Sequence, residues 1–390
     1  MRLQTFFLYL ISVSLFASCN LNGKGKKSEG TTIERDTSLN IPEMPDLTKD
    51  YIRRTRRFAY FFYKDEIAKD RFSGSFLVAK NGHIVYERTS GYSNFKEKKR
   101  IDFDTPLHVA SISKVSTSLA VLRLCDRKLI DLDKDVREYL REFPYEGITV
   151  RMLMAHRSGI QYYGYFTFKT WHLGTTLKNK DVLNLLIKHK FPLNFPPGSK
   201  FSYCNTNYAL LALIVERVNG KSFPKSMEEL VFYPLKMKNS FILDYTINTD
   251  TIAQSYNSKW ELQVFNYLDA VHGDKNLYTT ARDLLKMDNA TYSTLFLSDS
   301  LRKQMLTGYS YKKKSKGNYG LGIRMVQVPT KEIYYFHTGW WHGSTGCYAT
   351  LRADSTCIIA ISNKYTRSVY RIKNLAPYFG DYPFEFLYED

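Results

Sequence analysis

A chain of 390 residues with 44% apolar and 24% charged composition is globular and long enough for one large domain or two lobes. Its formal net charge of +18 sits in small clusters such as 96–100 (KEKKR) and 312–316 (KKKSK), which read as solvated loops. No recognition motif accompanies that charge, so nucleic acid is not expected as a partner; the charge suits anionic lipid or an anionic envelope polymer.

The chain opens with Arg2 and the apolar run 3–17 (LQTFFLYLISVSLFA), then Ser18 and Cys19. A basic start, a short apolar stretch and small residues predict a signal peptide over 1–18. Phe16-Ala17-Ser18-Cys19 is similar to the box ahead of the lipidated cysteine of bacterial lipoproteins, although Leu is usual where Phe16 stands. An ordinary signal peptide with a chance cysteine is the other reading. The first reading makes this an exported lipoprotein of the bacterial cell envelope, held to a membrane through Cys19. Residues 20–50 are polar and rich in Gly, Pro, Ser and Thr, so 19–50 is expected to be an anchor and flexible tether. The globular domain is then 51–390. No later run of eighteen apolar residues predicts a membrane span.

Mixed apolar and basic residues predict a helix over 53–69. Two β-rich runs flank Asn81-Gly82, the strongest two-residue hairpin signal. Helical patterns follow at 111–126, 133–140, 181–189, 206–219 and 281–289, with Gly220 placed as a C-cap. From Tyr319 onward, short apolar or alternating runs predict strands within 319–328, 332–339, 345–353 and 356–363, and 370–379 suggests a last helix. Strands at both ends with a helical lobe over about 111–290 give an α+β fold: an antiparallel sheet flanked by helices, with the active site in the cleft between sheet and lobe. Cys125, Cys204, Cys347 and Cys357 form no evident disulfide framework, and a register about Ala353-Asp354 does not set Cys347 opposite Cys357.

Ser111 and Lys114 form a Ser-x-x-Lys pattern, which also occurs at Ser93/Lys96, Ser222/Lys225, Ser300/Lys303 and Ser310/Lys313. Only the Ser111 copy opens a long apolar-patterned helix. Residues three apart share a helix face, so the Lys114 amine can reach the Ser111 hydroxyl. A serine needs a base to become a strong nucleophile. Lys114 is then either neutral through desolvation, or charged and favouring ionisation of a partner that acts as base. Tyrosine suits that partner role. Tyr203 and Asn205 lie two apart in an extended loop and point the same way, as a proton shuttle and a substrate clamp. Alone, they read as a packing aromatic and an N-cap. His337-Thr338-Gly339 falls near a strand end, where Gly339 permits close approach of a substrate backbone. The backbone N–H groups of Ser111 and Trp340 can serve as an oxyanion pair. Alone, that patch reads as a strand with a buried histidine. His342 is unassigned.

Together and in this order, Ser-x-x-Lys, Tyr-x-Asn and His-Thr-Gly resemble the serine β-lactamase and penicillin-binding-protein superfamily. The similarity is greatest to the branch of class C enzymes, D-stereospecific peptidases and esterases. It extends over about 51–375, through 74–94 (GSFLVAKNGHIVYERTSGYSN), 148–160 (ITVRMLMAHRSGI), 195–223 (FPPGSKFSYCNTNYALLALIVERVNGKSF), 273–288 (GDKNLYTTARDLLKMD) and 319–325 (YGLGIRM). The resemblance implies a β-lactamase/transpeptidase-like fold. It implies Ser111 as nucleophile, Lys114 as base, Tyr203 as proton shuttle, Asn205 on the substrate amide, and His337, Thr338 and Gly339 as the edge that receives substrate. Two departures stand out. His337 replaces the usual lysine, so a permanent cation for a substrate carboxylate is weakened, which disfavours efficient β-lactam hydrolysis and favours an esterase or a peptidase whose substrate lacks a free carboxylate there. Cys204 replaces a common serine.

The expected function is therefore a serine hydrolase acting through an acyl-enzyme on an amide or ester: a D-amino-acid peptide, a peptidoglycan-related peptide, an ester or a β-lactam. The alternative is a non-hydrolytic envelope module that binds peptidoglycan stems or is slowly acylated. No cofactor is expected. No His-Glu-x-x-His spacing supports a metal, and His337 with His342 is insufficient.

Overall fold

The computed structural model of the protein describes residues 38–69, 71–245, 251–310 and 316–385. The expected signal peptide, Cys19 and the tether up to residue 37 lie outside the described residues.

The sheet draws its strands from both ends of the chain. Strands β1 (Gly74–Lys80) and β2 (His83–Ser90) come early. Strands β3 (Gly317–Tyr319), β4 (Arg324–Val326), β5 (Tyr334–Trp341), β6 (Ser344–Leu351) and β7 (Thr356–Ser362) come late. They form one seven-stranded sheet in the order β3-β4-β5-β6-β7-β1-β2, antiparallel throughout. The β1–β2 turn is the predicted one: Asn81 and Gly82 hold φ of 49° and 72°, as a type I′ turn requires. Cys347 faces Ala360 and Cys357 faces Thr350, so the two cysteines are not opposite one another. All four described cysteines are free and buried.

Both faces of the sheet are covered. Leu77, Ala79, Cys357, Ile359 and Ile361 enter one apolar cluster, while Phe76, Val78, Ile358 and Ala360 enter another. This is the period-two alternation of a strand, with apolar residues on both sides because both sides are buried. The back face is closed by helix α1 (Lys49–Phe62) and by the expected last helix, which is a 3₁₀ run over Ser368–Tyr378. The front face meets the helical lobe: α2 (Ser113–Asp126), α3 (Val150–Met154), α4 (Tyr163–Thr170), α5 (Asn179–His189), α6 (Asn205–Asn219), α7 (Phe223–Met227), α8 (Ala281–Ala290) and α9 (Asp299–Met305). Gly220 caps α6 at φ 69°, as expected.

Two expectations fail for local reasons. The helix expected over 133–140 is a single 3₁₀ turn, Val136–Glu138. Aspartates there serve the backbone instead: Asp131 accepts from the Asp133 N–H, and Asp135 accepts from those of Arg137 and Gly147. The tether does not run free to Asp50. Leu39 donates its N–H to the Pro234 carbonyl at 2.8 Å, Leu39 and Ile41 pack on the front core, and α1 already begins at Lys49. Those apolar side chains gain burial that the polar count of the segment hid.

Candidate active site

The site lies where the front of the sheet meets α2 and α6. Ser111 is not on α2. It sits in a 3₁₀ turn, Ala110–Ile112, immediately before the helix, which starts at Ser113. Ala110 has φ 48°, a left-handed conformation costly for a residue with a Cβ. Ser113 holds the turn: its hydroxyl donates to the Ala110 carbonyl at 2.6 Å and accepts the Leu277 N–H at 3.1 Å. The turn presents Ser111 half-buried while Ile112, Ser113 and Lys114 are buried.

Lys114 has no exposed surface. Its Nζ donates to Ser111 Oγ at 2.8 Å and to the Asp274 carbonyl at 2.7 Å. It also stands 5.0 Å from the Tyr203 ring centroid and 5.6 Å from that of Tyr208. The Asp274 carbonyl is brought in by a loop pressed on α6. At Gly273, φ is 90° and an added Cβ would lie 2.3 Å from the Tyr208 carbonyl oxygen, so glycine is required there. Behind Lys114 is a second buried lysine. Lys275 Nζ contacts the Tyr163 hydroxyl at 2.8 Å and the Asp274 carboxylate at 3.5 Å, and Tyr163 donates to that carboxylate at 2.6 Å. Burial lowers the Lys275 pKa, and Asp274 only partly opposes it.

Tyr203 and Asn205 share one side, because Cys204 between them is extended (φ −143°, ψ 122°). The Cys204 N–H donates to His156 Nδ1 at 3.1 Å, and its thiol is buried on the Ile160 carbonyl. Asn205 is the first residue of α6 rather than its cap, and its Oδ1 is buried with no hydrogen-bond partner. That amide oxygen is free to accept a substrate N–H.

His337 lies in the wall of the site, beside Tyr203 and Tyr319. Its ring is fully buried, 6.3 Å from the ring of Tyr203. Nδ1 lies 2.9 Å from the Thr338 carbonyl and Nε2 lies 3.0 Å from the Tyr319 hydroxyl. A carbonyl only accepts, so Nδ1 carries the proton and Tyr319 donates to Nε2. Burial, then Arg324 and Lys114, hold the His337 pKa well below the usual histidine value. The ring is neutral. Gly339 is also needed for another reason than the expected one. An added Cβ would lie 2.2 Å from the Val109 carbonyl oxygen and 3.2 Å from Ala110 Cβ. The close approach is that of the Ser111 turn itself. Thr338 is half-buried, and the Trp340 side chain is exposed.

Three contributors went unnoticed in the sequence. His156 (φ 55°) is buried with its ring 4.3 Å from Tyr203 and 4.8 Å from Tyr319. Burial, Lys114 and Arg324 hold its pKa well below the usual value. The 148–160 segment was a signal for it. Tyr319 bridges His156 and His337. Arg324, on β4, places its guanidinium 4.6 Å from the Tyr203 ring centroid and 5.8 Å from that of Tyr319. Among the described residues Arg324 forms no ion pair, and its Nε is buried without a partner. His342 joins Asp269 instead of the nucleophile: Nε2 lies 2.9 Å and 3.0 Å from the two carboxylate oxygens, and the Trp341 indole donates to the same group. Among the described residues no group of three His, Cys, Asp or Glu side chains is arranged to hold a metal.

A beta-lactamase family model matches residues 60–376. Penicillin-binding protein 4* of Bacillus subtilis (strain 168) is 27% identical over 312 residues, which is 76% of this chain and 69% of that protein. A D-aminopeptidase of Cereibacter sphaeroides is 26% identical over 250 residues, 63% of this chain and 48% of that protein. The chain thus spans about half the length of the D-aminopeptidases it matches. Among solved structures, a penicillin binding protein from Bacillus halodurans superposes with a TM-score of 0.72 at 23% identity, covering 82% of this chain and 98% of that one. The D-amino acid amidase from Ochrobactrum anthropi SV3 complexed with D-phenylalanine gives 0.65 at 18% identity, covering 80% and 92%. At these identities the structural likeness establishes the fold.

Proposed function

Because the chain belongs to the beta-lactamase family of serine hydrolases, we propose that Ser111 is the nucleophile of an acyl-enzyme reaction on a D-amino-acid amide or ester that carries an anionic group. The carrying observation is the 2.8 Å contact between Ser111 Oγ and the Nζ of a lysine with no exposed surface. Proton transfer across such a distance is direct. Ser111 Oγ attacks the carbonyl carbon, and its proton passes to the Lys114–Tyr203 pair. The backbone N–H groups of Ser111 and Trp340 receive the oxyanion. The carbon–nitrogen or carbon–oxygen bond then breaks, the leaving group takes the proton, and water releases the acyl group. Asn205 Oδ1 accepts the substrate amide N–H.

Arg324 supplies the cation that His337 cannot. A guanidinium without an ion pair among the described residues, standing over Tyr203, matches a carboxylate with two parallel hydrogen bonds. The D-configuration rests on the names of the D-aminopeptidase and D-amino acid amidase relatives. Peptidoglycan-related peptides fit both features. The apolar N-terminal stretch and Cys19 support export and lipid anchoring at the cell envelope.

Intact mass after incubation with a β-lactam and, separately, an activated ester of a D-amino acid tests the reaction. A Ser111-dependent adduct or ester turnover is expected, and both vanish in Ser111→Ala. Wild-type turnover by Ser111→Ala sinks the mechanism.

A further inference from the structure

Away from the cleft, helix α1 presents a face that the fold does not use. Its inner side, Thr55, Ala59 and Phe62, is buried. Its outer side carries Arg53, Arg54, Arg56 and Arg57, then Tyr60 and Phe61, all exposed. Tyr60 and Phe61 keep 47% and 40% of their surface in solvent. The Arg57 guanidinium stands 5.9 Å from the Phe61 ring centroid. The ion pair recorded on this face is Arg53 to Asp50 at 3.0 Å, with both partners mostly exposed, and pairs of that kind are worth little. Arg56 leans over β2, donating Nε–H to the Val85 carbonyl at 3.1 Å. Between helix and strand lies a cavity of about 500 Å³ whose lining includes Lys49, Arg53, Arg56, Arg57, Tyr60 and Tyr86.

Cations and aromatic rings side by side on one helix face are what an interfacial helix uses. The cations meet headgroup phosphates and the rings sit at headgroup depth. A soluble polyanion would satisfy the arginines and leave Tyr60 and Phe61 nothing to bury against. We propose that the outer face of α1 is a docking face for an anionic lipid bilayer, with the arginine cluster on headgroup phosphates and Tyr60 and Phe61 in the interfacial layer. The face lies on the opposite side of the sheet from Ser111, because α1 closes the back and the lobe closes the front. Docking through α1 therefore leaves the cleft open.

The test uses the chain from Arg35 onward, a compact unit whose core residues all lie within it. It is sedimented with vesicles of phosphatidylcholine alone and of phosphatidylcholine with about one-third phosphatidylglycerol, at low and at about 0.5 M salt. Binding at least about tenfold tighter to the anionic vesicles is expected. At about fivefold per basic residue, Arg54→Gln with Arg57→Gln lowers it about 25-fold. The same charge loss in the loop, Lys98→Gln with Lys99→Gln, lowers it less than about threefold. Tyr60→Ser with Phe61→Ser removes the part of the binding that survives high salt. Melting temperature and ester turnover, unchanged in these variants, show an intact domain. Equal loss in the α1 and loop variants overturns the proposal. So does equal binding to neutral vesicles. Displacement by soluble polyphosphate at equal phosphate concentration, with the Tyr60/Phe61 variant binding as wild type, assigns the face to a soluble polyanion and also overturns it.

Discussion

Acid should unfold this protein earlier than its carboxylates require, because four histidines are buried neutral. Burial depresses His108 and His272 from 6.5 to about 4, and it depresses His156 and His337 well below 6.5, with nearby cations adding to the effect on the last two. A depressed folded pKa means that the unfolded chain binds the proton first. Stability is therefore full above about pH 6.5 and falls as pH falls below it, down to the folded pKa values. For one such group the loss between pH 7.5 and 5.5 is about 1.4 kcal/mol, a tenfold change in the unfolding equilibrium. Four groups lose about 5 kcal/mol together, comparable with the whole stability of many domains. Asp288 and Glu216 work the other way, since burial raises both carboxyls. They cancel at most two of the four protons. Urea unfolding at intervals from pH 7.5 to 5.5 measures the slope, which should correspond to an uptake of about two to four protons near pH 5.5. His156→Gln and His337→Gln should each reduce the uptake by about one proton. A stability that is flat or rising between pH 7.5 and 5.5 would refute the reading of these rings as buried and neutral.

Lys114→Met should lower turnover by about 10²–10⁴-fold in an ester assay while the variant still melts cooperatively; near-wild-type turnover would remove Lys114 from the chemistry. Arg324→Gln should lower the ratio of kcat/KM for a carboxylate-bearing substrate over its methyl ester by about 10–100-fold, and Arg324→Lys by less; an unchanged ratio means that the guanidinium only packs on Tyr203. Gly339→Ala should cost about 1–3 kcal/mol in urea unfolding and also displace the nucleophile turn, so activity falls with it. Its control is Gly147→Ala, where no atom lies within 4 Å of the added Cβ and the positive φ alone costs about 1 kcal/mol with no loss of activity.

The parts of this fold that are set locally were legible. Asn81-Gly82 makes its own turn, Gly220 its own cap, and the late strands carry their period in the side chains. Ser111, Lys114, Tyr203 and Asn205 were legible as residues because their spacing survives folding. What escaped is set by distant neighbours. Ala110 holds a positive φ because Ser113, Leu277 and Gly339 clamp the turn, and none of these marks it in the local sequence. His337 follows the strand period faithfully, but nothing near it in sequence tells that Tyr319 covers its ring. Arg324, His156 and the Asp274 carbonyl reach the site from three separate segments, and an arginine in a strand run or a peptide carbonyl in a loop carries no pattern of its own.

The charge balance of the site explains why those neutral histidines matter. Lys114 and Arg324 both stand against the Tyr203 ring, and both act on His156 and His337. A further cation beside them would add repulsion in a medium that screens poorly. Kept neutral, each histidine orients a neighbour: His156 accepts the N–H of Cys204, and His337 accepts from Tyr319. Among the described residues no carboxylate balances the tips of the Lys114 amine and the Arg324 guanidinium, since Lys114 meets Asp274 through its carbonyl. Such a site gains most when negative charge arrives, as a bound anionic group or as the oxyanion that forms beside Ser111. His337→Lys, which restores the lysine usual in the resembling enzymes, should therefore not restore their function. It would bury a cation beside the Arg324 guanidinium and the Lys114 amine and leave the Tyr319 hydroxyl without its acceptor. A loss of several kcal/mol in stability is expected, with no gain in β-lactam turnover. A stable variant with faster β-lactam hydrolysis would mean that a cation at position 337 can serve the substrate and that Arg324 is not the one doing so.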